Sequence, residues 1–193
     1  MTRFVTLVLL PAFILGCCPP KQWRGMVFVD YSMRGADGIG HRSEMSEGLI
    51  YDQTVRKLVT NQTLSVDGGP EFHQTALLDY NTGMEYIVRD NKCTKMNITT
   101  TEPGCIPTNA TVMNQSYMGA GAAKVKTTMY RFEDEQMLVY LTVADDGCVP
   151  IFYEGAGMNR KGESVKMGIQ YMGIEAVATD QSVFNLPASC SMM

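Results

Sequence analysis

Histidine is nearly missing from this 193-residue chain: only His41 and His73 occur, and neither has a partner motif near it. Gly-x-Ser-x-Gly elbows, His-Glu-x-x-His helices and phosphate loops are absent too, so the usual groups of hydrolytic, metallopeptidase and nucleotide chemistry are not there. The 16 Lys and Arg residues never run longer than two, and the formal net charge is −4 with a pI near 5.2. An electrostatic nucleic-acid surface is thereby excluded. No apolar run reaches the roughly 20 residues that a bilayer-spanning helix needs. Helical periodicity hardly appears, low-complexity tracts are missing, and tryptophan occurs once, at Trp23.

What is present reads as β-structure. Met84, Tyr86 and Val88 alternate with Glu85 and Arg89, the period of a half-buried strand, and Asp90-Asn91 supplies turn chemistry before a second strand that carries Cys93. Similar hairpins recur. Met26–Tyr31, Gly48–Asp52, Thr54–Thr60 and Thr75–Tyr80 precede it; Val125–Phe132 and Gln136–Ala144 form a further pair around Glu133-Asp134-Glu135. In the second arm of that pair Met137, Val139, Leu141 and Val143 share a face, while Leu138 and Tyr140 make the other face apolar as well. Cys148–Glu154 and a long last strand, Ser164–Ala178, follow, with Gly168 and Gly173 as expected bulges or bends. Ser32–Gly48 is expected to be a loop, and Thr99–Gly121, rich in proline and sequons, an exposed crossing between halves of the sheet system that Cys105 ties down. The spacing predicts an antiparallel meander closing into a sandwich or barrel, and the length suits one domain.

Residues 1–16 read as an export signal: Arg3, then an apolar run to Leu15, then Gly16. Residues 17–193 are then the mature domain. Ile14-Leu15-Gly16-Cys17 also fits a bacterial lipobox. Four sequons, at Asn61, Asn97, Asn109 and Asn114, weigh toward eukaryotic secretion, because chance predicts about one in this composition. The six cysteines, without Cys-x-x-C or zinc spacing, suit three disulfides in an oxidising compartment, in any of fifteen pairings on counting alone.

Two acidic turns offer hard oxygen ligands for calcium, Glu133 with Glu135 and Asp145 with Asp146. An intervening strand of about nine residues keeps them roughly 30 Å apart, so they cannot share one ion. The plainer reading of each is a solvated turn. Of the 15 methionines, Met26, Met84, Met96, Met129, Met137, Met167 and Met172 fall on expected strands or near the crossing, where a core face is expected. Methionine suits an irregular core or a cavity that adapts to apolar ligands. Trp23 reads as an aromatic plug at one end of the core, with ligand contact as the alternative.

Six motifs in order are familiar: Cys17-Cys-Pro-Pro-Lys-Gln-Trp23, Tyr51-Asp52, Asp90 through Met96, Ile106 through Thr111, Cys148-Val-Pro150, and Ser182 through Cys190. In them the chain resembles the ependymin-related proteins. The resemblance implies an all-β, secreted, non-enzymatic glycoprotein of two stacked curved sheets in a half-open arrangement like the LolA and LolB lipoprotein carriers. It implies a hydrophobic, lipid-like ligand in a cavity, an association with calcium, homodimers, and contact with extracellular matrix. It also implies the disulfides Cys17–Cys148 and Cys93–Cys190. Cys18 and Cys105 are additional to the family pattern and are expected as a third pair, with a free or intermolecular thiol as the alternative. On this reading Trp23, Phe28, Met84, Tyr86, Val88, Met129, Val139, Leu141 and Tyr171 line the ligand space. The rival function is a structural matrix component that self-associates through calcium and holds no ligand.

Overall fold

In the computed structural model the described residues are 17–190, leaving out 36, 99, 135, 160 and 161. The leader expected at residues 1–16 therefore lies outside them. Eleven strands run β1 (Gln22–Arg34), β2 (Gly40–Asp52), β3 (Lys57–Val66), β4 (Phe72–Asp79), β5 (Met84–Arg89), β6 (Lys92–Asn97), β7 (Thr111–Met118), β8 (Val125–Asp134), β9 (Met137–Ala144), β10 (Val149–Met158) and β11 (Ser164–Ala176). All pairings are antiparallel, in the order β6-β5-β4-β3-β2-β1-β11-β10-β9-β8-β7. The chain is thus two meanders joined where β11 returns beside β1. The expected pair of sheets is one continuous hydrogen-bonded sheet, and its edges β6 and β7 do not pair with each other.

Local chemistry sets the turns. Asp90 and Asn91 have φ of 51° and 58°, the left-handed pair that a tight two-residue hairpin requires. Gly173, at φ +59°, sits where the β1–β11 register slips between Arg24 and Met26, so the expected bulge is found there. Gly168 stands in regular ladder opposite Asp30. Two expectations need correction. Ser32–Gly48 is mostly strand, because β1 and β2 pair without a break from Gln22–Asp52 to Arg34–Gly40. The crossing Thr99–Gly121 contains β7, whose polar composition hid it.

Register sorts every side chain to one of two faces. One face carries Trp23, Val27 and Val29 of β1, Leu49 and Tyr51 of β2, Ala76 and Leu78 of β4, Val139 and Val143 of β9, and Val165 of β11, all buried. Among the described residues no helical layer covers this face; the only helical segments are short 3-10 turns. It can be buried only if the halves of the sheet turn toward each other, so it is the inner face.

The ends are pinned by three disulfides: Cys17–Cys148 and Cys93–Cys190, the pairings that the resemblance implied, and Cys18–Cys105, the pair expected of the two additional cysteines. They span 131, 87 and 97 residues of sequence. Each stabilises by about 2–4 kcal/mol, chiefly by restricting the unfolded chain. Residues 100–110 lead into edge β7 across one end of the sheet. Cys105 holds them, together with Ile106 N donating to Cys17 O at 2.8 Å and Tyr51 Oη donating to Glu102 and to Pro103 O at 3.1 Å each.

Asp52 locks the C-terminal segment to this frame. Fully buried, it accepts from Gln22 Nε2 at 2.7 Å, Gln181 Nε2 at 2.6 Å, Thr54 N at 2.7 Å and Thr54 Oγ1 at 2.6 Å. Burial pushes its carboxyl up, but the bonds from Thr54, Gln181 and Gln22 outweigh that and hold it below the ordinary carboxylate range. Asp52→Ala leaves those donors unpaired and is expected to cost about 3 kcal/mol in urea unfolding. Because the folded-state value is depressed, Asp52 stabilises above the unfolded value near pH ~3.9 and loses that contribution as pH falls through the folded one. The gap between the two proteins should therefore close in acid and stay constant from pH 5 upward; a gap unchanged at the acid end would contradict an ionised Asp52.

Candidate functional site

The inner face is the candidate binding surface. Around its buried centre lie side chains that point inward but stay only partly buried: Met45 of β2, Leu58 of β3, Ile87 of β5, Met137 and Leu141 of β9, and Met167 of β11. Tyr31, Met45, Leu58, Tyr80, Met167, Ile169 and Tyr171 pack directly against the buried cluster of Trp23, Val27, Val29, Leu49 and Tyr51. A closed barrel would bury such side chains completely. Here each of them keeps part of its surface accessible.

Sequence reasoning picked nine lining residues, and the register divides them. Trp23, Val139, Leu141 and Tyr171 are on the inner face. Phe28, Met84, Tyr86, Val88 and Met129 are on the opposite, outer face. The reason is arithmetic: alternation shows that a strand has two faces but not which one turns inward, and Met84, Tyr86 and Val88 stand beside Cys93. The Cys93–Cys190 bridge brings the 3-10 turn Ala188–Cys190 against β5 and β6, so that hairpin's apolar outer face lies near the tail rather than the interior. Within the inner four, Trp23 is 3% and Val139 0% exposed, which makes them packing residues. Trp23 meets Tyr51 edge-on with ring centroids 6.0 Å apart, as a plug would, and its Nε1 has no hydrogen-bond partner among the described residues. Leu141 and Tyr171 remain partly accessible.

The inner face also carries a polar row that the sequence reading missed. Gln74, Gln62 and Glu47 lie directly opposite one another on β4, β3 and β2. Gln74 Nε2 donates to Gln62 Oε1 at 2.7 Å, and Gln62 Nε2 donates to Glu47 Oε2 at 2.9 Å. Burial raises the Glu47 carboxyl above its ordinary value, and the bond from Gln62 only partly offsets it; Glu85, on the same face, is raised by burial too. The Tyr80 phenol is pushed up to about 12 by burial, with the charges of Glu102, Glu85 and Glu47 adding to it. Polar residues at alternate strand positions, Glu47 between Met45 and Leu49 and Gln62 between Thr60 and Leu64, were the available signal.

Two clefts are present, the second reaching the inner face at Met33 and Val165. One, of about 510 Å³, sits between Thr54, Lys57, Asn81, Gln181 and Phe184; the other, of about 450 Å³, between Met33, Arg34, His41, Asp67 and Lys166. His41 Nδ1 lies 2.8 Å from Asp67 Oδ2 beside the second.

The acidic turns do not converge. Asp145 accepts from Thr128 Oγ1 at 2.6 Å and pairs with Lys126 Nζ at 2.9 Å, and these two partners hold its carboxyl below the ordinary range. Asp146 is exposed, and Glu133 is exposed on the outer face of β8. Glu135 lies outside the described residues. Among the described residues no three of His, Cys, Asp and Glu come together as a metal site would need.

The ependymin family model matches residues 69–190, most of the chain. The chain belongs to the ependymin family. No curated protein matches it. Among solved structures, a LolA superfamily protein from Nitrosomonas europaea aligns at 9% identity and a TM-score of 0.36, over 87% of this chain and 91% of that one. A β-barrel-like protein from Brucella abortus aligns at 10% identity and a TM-score of 0.27, over 83% of this chain and 100% of that one. The family's match spans β4 to Cys190 and so takes in both open edges, the crossing, the whole Cys93–Cys190 bridge, and Cys105 and Cys148, the partners of Cys18 and Cys17.

In this ependymin-family sheet, Glu47 gives a direct test of the inner face. A carboxyl whose folded-state value is raised costs stability on ionising, a cost that begins as pH rises through the unfolded value and is complete above the folded one. Glu47→Gln removes that cost and keeps an acceptor for Gln62. The variant is expected to melt about 2–4 °C higher than the parent at pH 8 and to show no such gain at pH 4. Equal melting at both pH values would mean that Glu47 is not desolvated.

Proposed function

We propose that this chain is a secreted, non-enzymatic glycoprotein that holds lipid-like hydrophobic molecules against the inner face of its sheet, in contact with extracellular matrix and as a homodimer. The observation that carries the reading is the set of inward-pointing side chains left partly exposed: Met45, Leu58, Ile87, Met137, Leu141 and Met167. Each exposed apolar Å² costs about 25 cal/mol, and an alkyl chain laid on the surface recovers about 0.8 kcal/mol per buried methylene. Three methionines in that set suit ligands of varied shape. The ependymin family membership and the three disulfides support passage through an oxidising, extracellular route. The exposed outer-face group Met26, Phe28 and Met172, adjacent across β1 and β11, supports pairing with a second copy.

Native mass spectrometry of delipidated protein, incubated with dodecanoate, dodecylamine and lysophosphatidylcholine, tests the carrier reading. At least one of the three should be retained as a stoichiometric adduct. Leu141→Glu, which buries a charge in the inner face, should weaken retention about tenfold or more, while Tyr86→Glu on the outer face should leave it unchanged. No adduct with any probe would overturn the reading, and loss with Tyr86→Glu alone would move the site to the outer face.

A further inference from the structure

The sheet has two open edges, and they are built differently. Edge β6 is short, carries Lys92 and Lys95, and is held at Cys93 by the tail; charge, brevity and cover are all known defences against strand addition. Edge β7 has none of these. Its eight residues, Thr-Val-Met-Asn-Gln-Ser-Tyr-Met, include no charge, and all eight are exposed. Val112, Met113, Tyr117 and Met118 are 52%, 49%, 63% and 47% exposed. Its one structural break is the extra residue Met113 between Val112 and Asn114. An exposed, uncharged apolar edge invites a second chain to add a strand.

Asn114 opens a sequon at the middle of that edge, just after the bulge. Its register opposite Met129 puts it on the outer face. Asn61, opposite Gly48, and Asn97, opposite Met84, fall on the same outer face, and all three are exposed. An N-linked glycan is bulky and hydrophilic and has to project into solvent, so the side of the sheet on which three strand sequons coincide is the side that can bear them. A strand added beside β7 would place its side chains about 5 Å from Asn114, inside the space a glycan fills.

We propose that Asn114 carries an N-linked glycan whose role is to block strand addition at the β7 edge, in place of the lysines that guard β6. The proposal rests on the extracellular reading above, because glycosylation requires that route.

Glycopeptide mass spectrometry of the secreted protein reads occupancy at Asn61, Asn97, Asn109 and Asn114, and sedimentation velocity over a wide concentration range reads self-association. Asn114 should be occupied. Asn114→Gln should self-associate about tenfold more strongly than the parent, beyond any species the parent forms, while Asn61→Gln should match the parent. Adding Met118→Lys to Asn114→Gln should restore the parent's behaviour, because a charge then guards the edge. If Asn114→Gln is not secreted, endoglycosidase trimming of the folded parent gives the same comparison. An empty Asn114 beside occupied Asn61 or Asn109, or an Asn114→Gln protein that sediments like the parent, overturns the proposal alone. Four empty sequons overturn it together with the extracellular reading.

Discussion

The alternation of side chains along a strand, carried from ladder to ladder by hydrogen-bond register, is the constraint on which the rest of this structure depends. A single slip would exchange the two faces of every strand beyond it. The chain tolerates irregularity only where register can be recovered. Gly173 sits at the β1–β11 slip, the β9–β10 register shifts between Pro150 and Phe152, and Met113 is the extra residue of β7. Past the first two of these the apolar set returns to the inner face. Val139 and Val143, buried on β9, therefore face the same interior as Leu49 and Tyr51 on β2, although four pairings separate those strands.

Because the sheet is not closed by pairing of its edges, other bonds must hold its halves in relation. The adjacent residues Cys17 and Cys18 do this from one point, reaching Cys148 in the β9–β10 turn and Cys105 in the crossing. Cys93–Cys190 and the Gln181 bond to Asp52 then draw the C-terminal segment onto the β1–β6 half. These links lie at the ends and on the outer face. They fix the frame without filling the interior, which is the arrangement that leaves inward apolar side chains short of full burial.

Much of this was legible in the sequence, for identifiable reasons. Most strands announce themselves by alternation, and Asp90-Asn91 announces its turn, because both signals are local. Thr111–Met118 was missed because an edge strand exposed on both faces has no reason to alternate, and Gly40–Glu47 because its apolar positions give way to charge near the hairpin's far end. Which apolar face turns inward is not local at all. It depends on the β1–β11 pairing and on where the tail lands, so alternation alone favours Tyr86 and Val88 for the interior and gives no reason to single out Leu58 and Ile87, which stand on the true inner face.

The polar row Gln74–Gln62–Glu47 bears on what the interior is for. If the inner face were only a core, three cross-strand apolar residues would serve better, since a desolvated carboxyl works against folding and its hydrogen bonds return only part of the loss. A surface that receives amphiphiles has a different requirement. It needs apolar area for the chain and a bounded polar place for the head, and the row supplies the second within an otherwise apolar face. Glu47 thus works against folding when it ionises, while under the carrier reading the row would supply the asymmetry that orients an amphiphile, a compromise that a sheet built solely for structure has no reason to make.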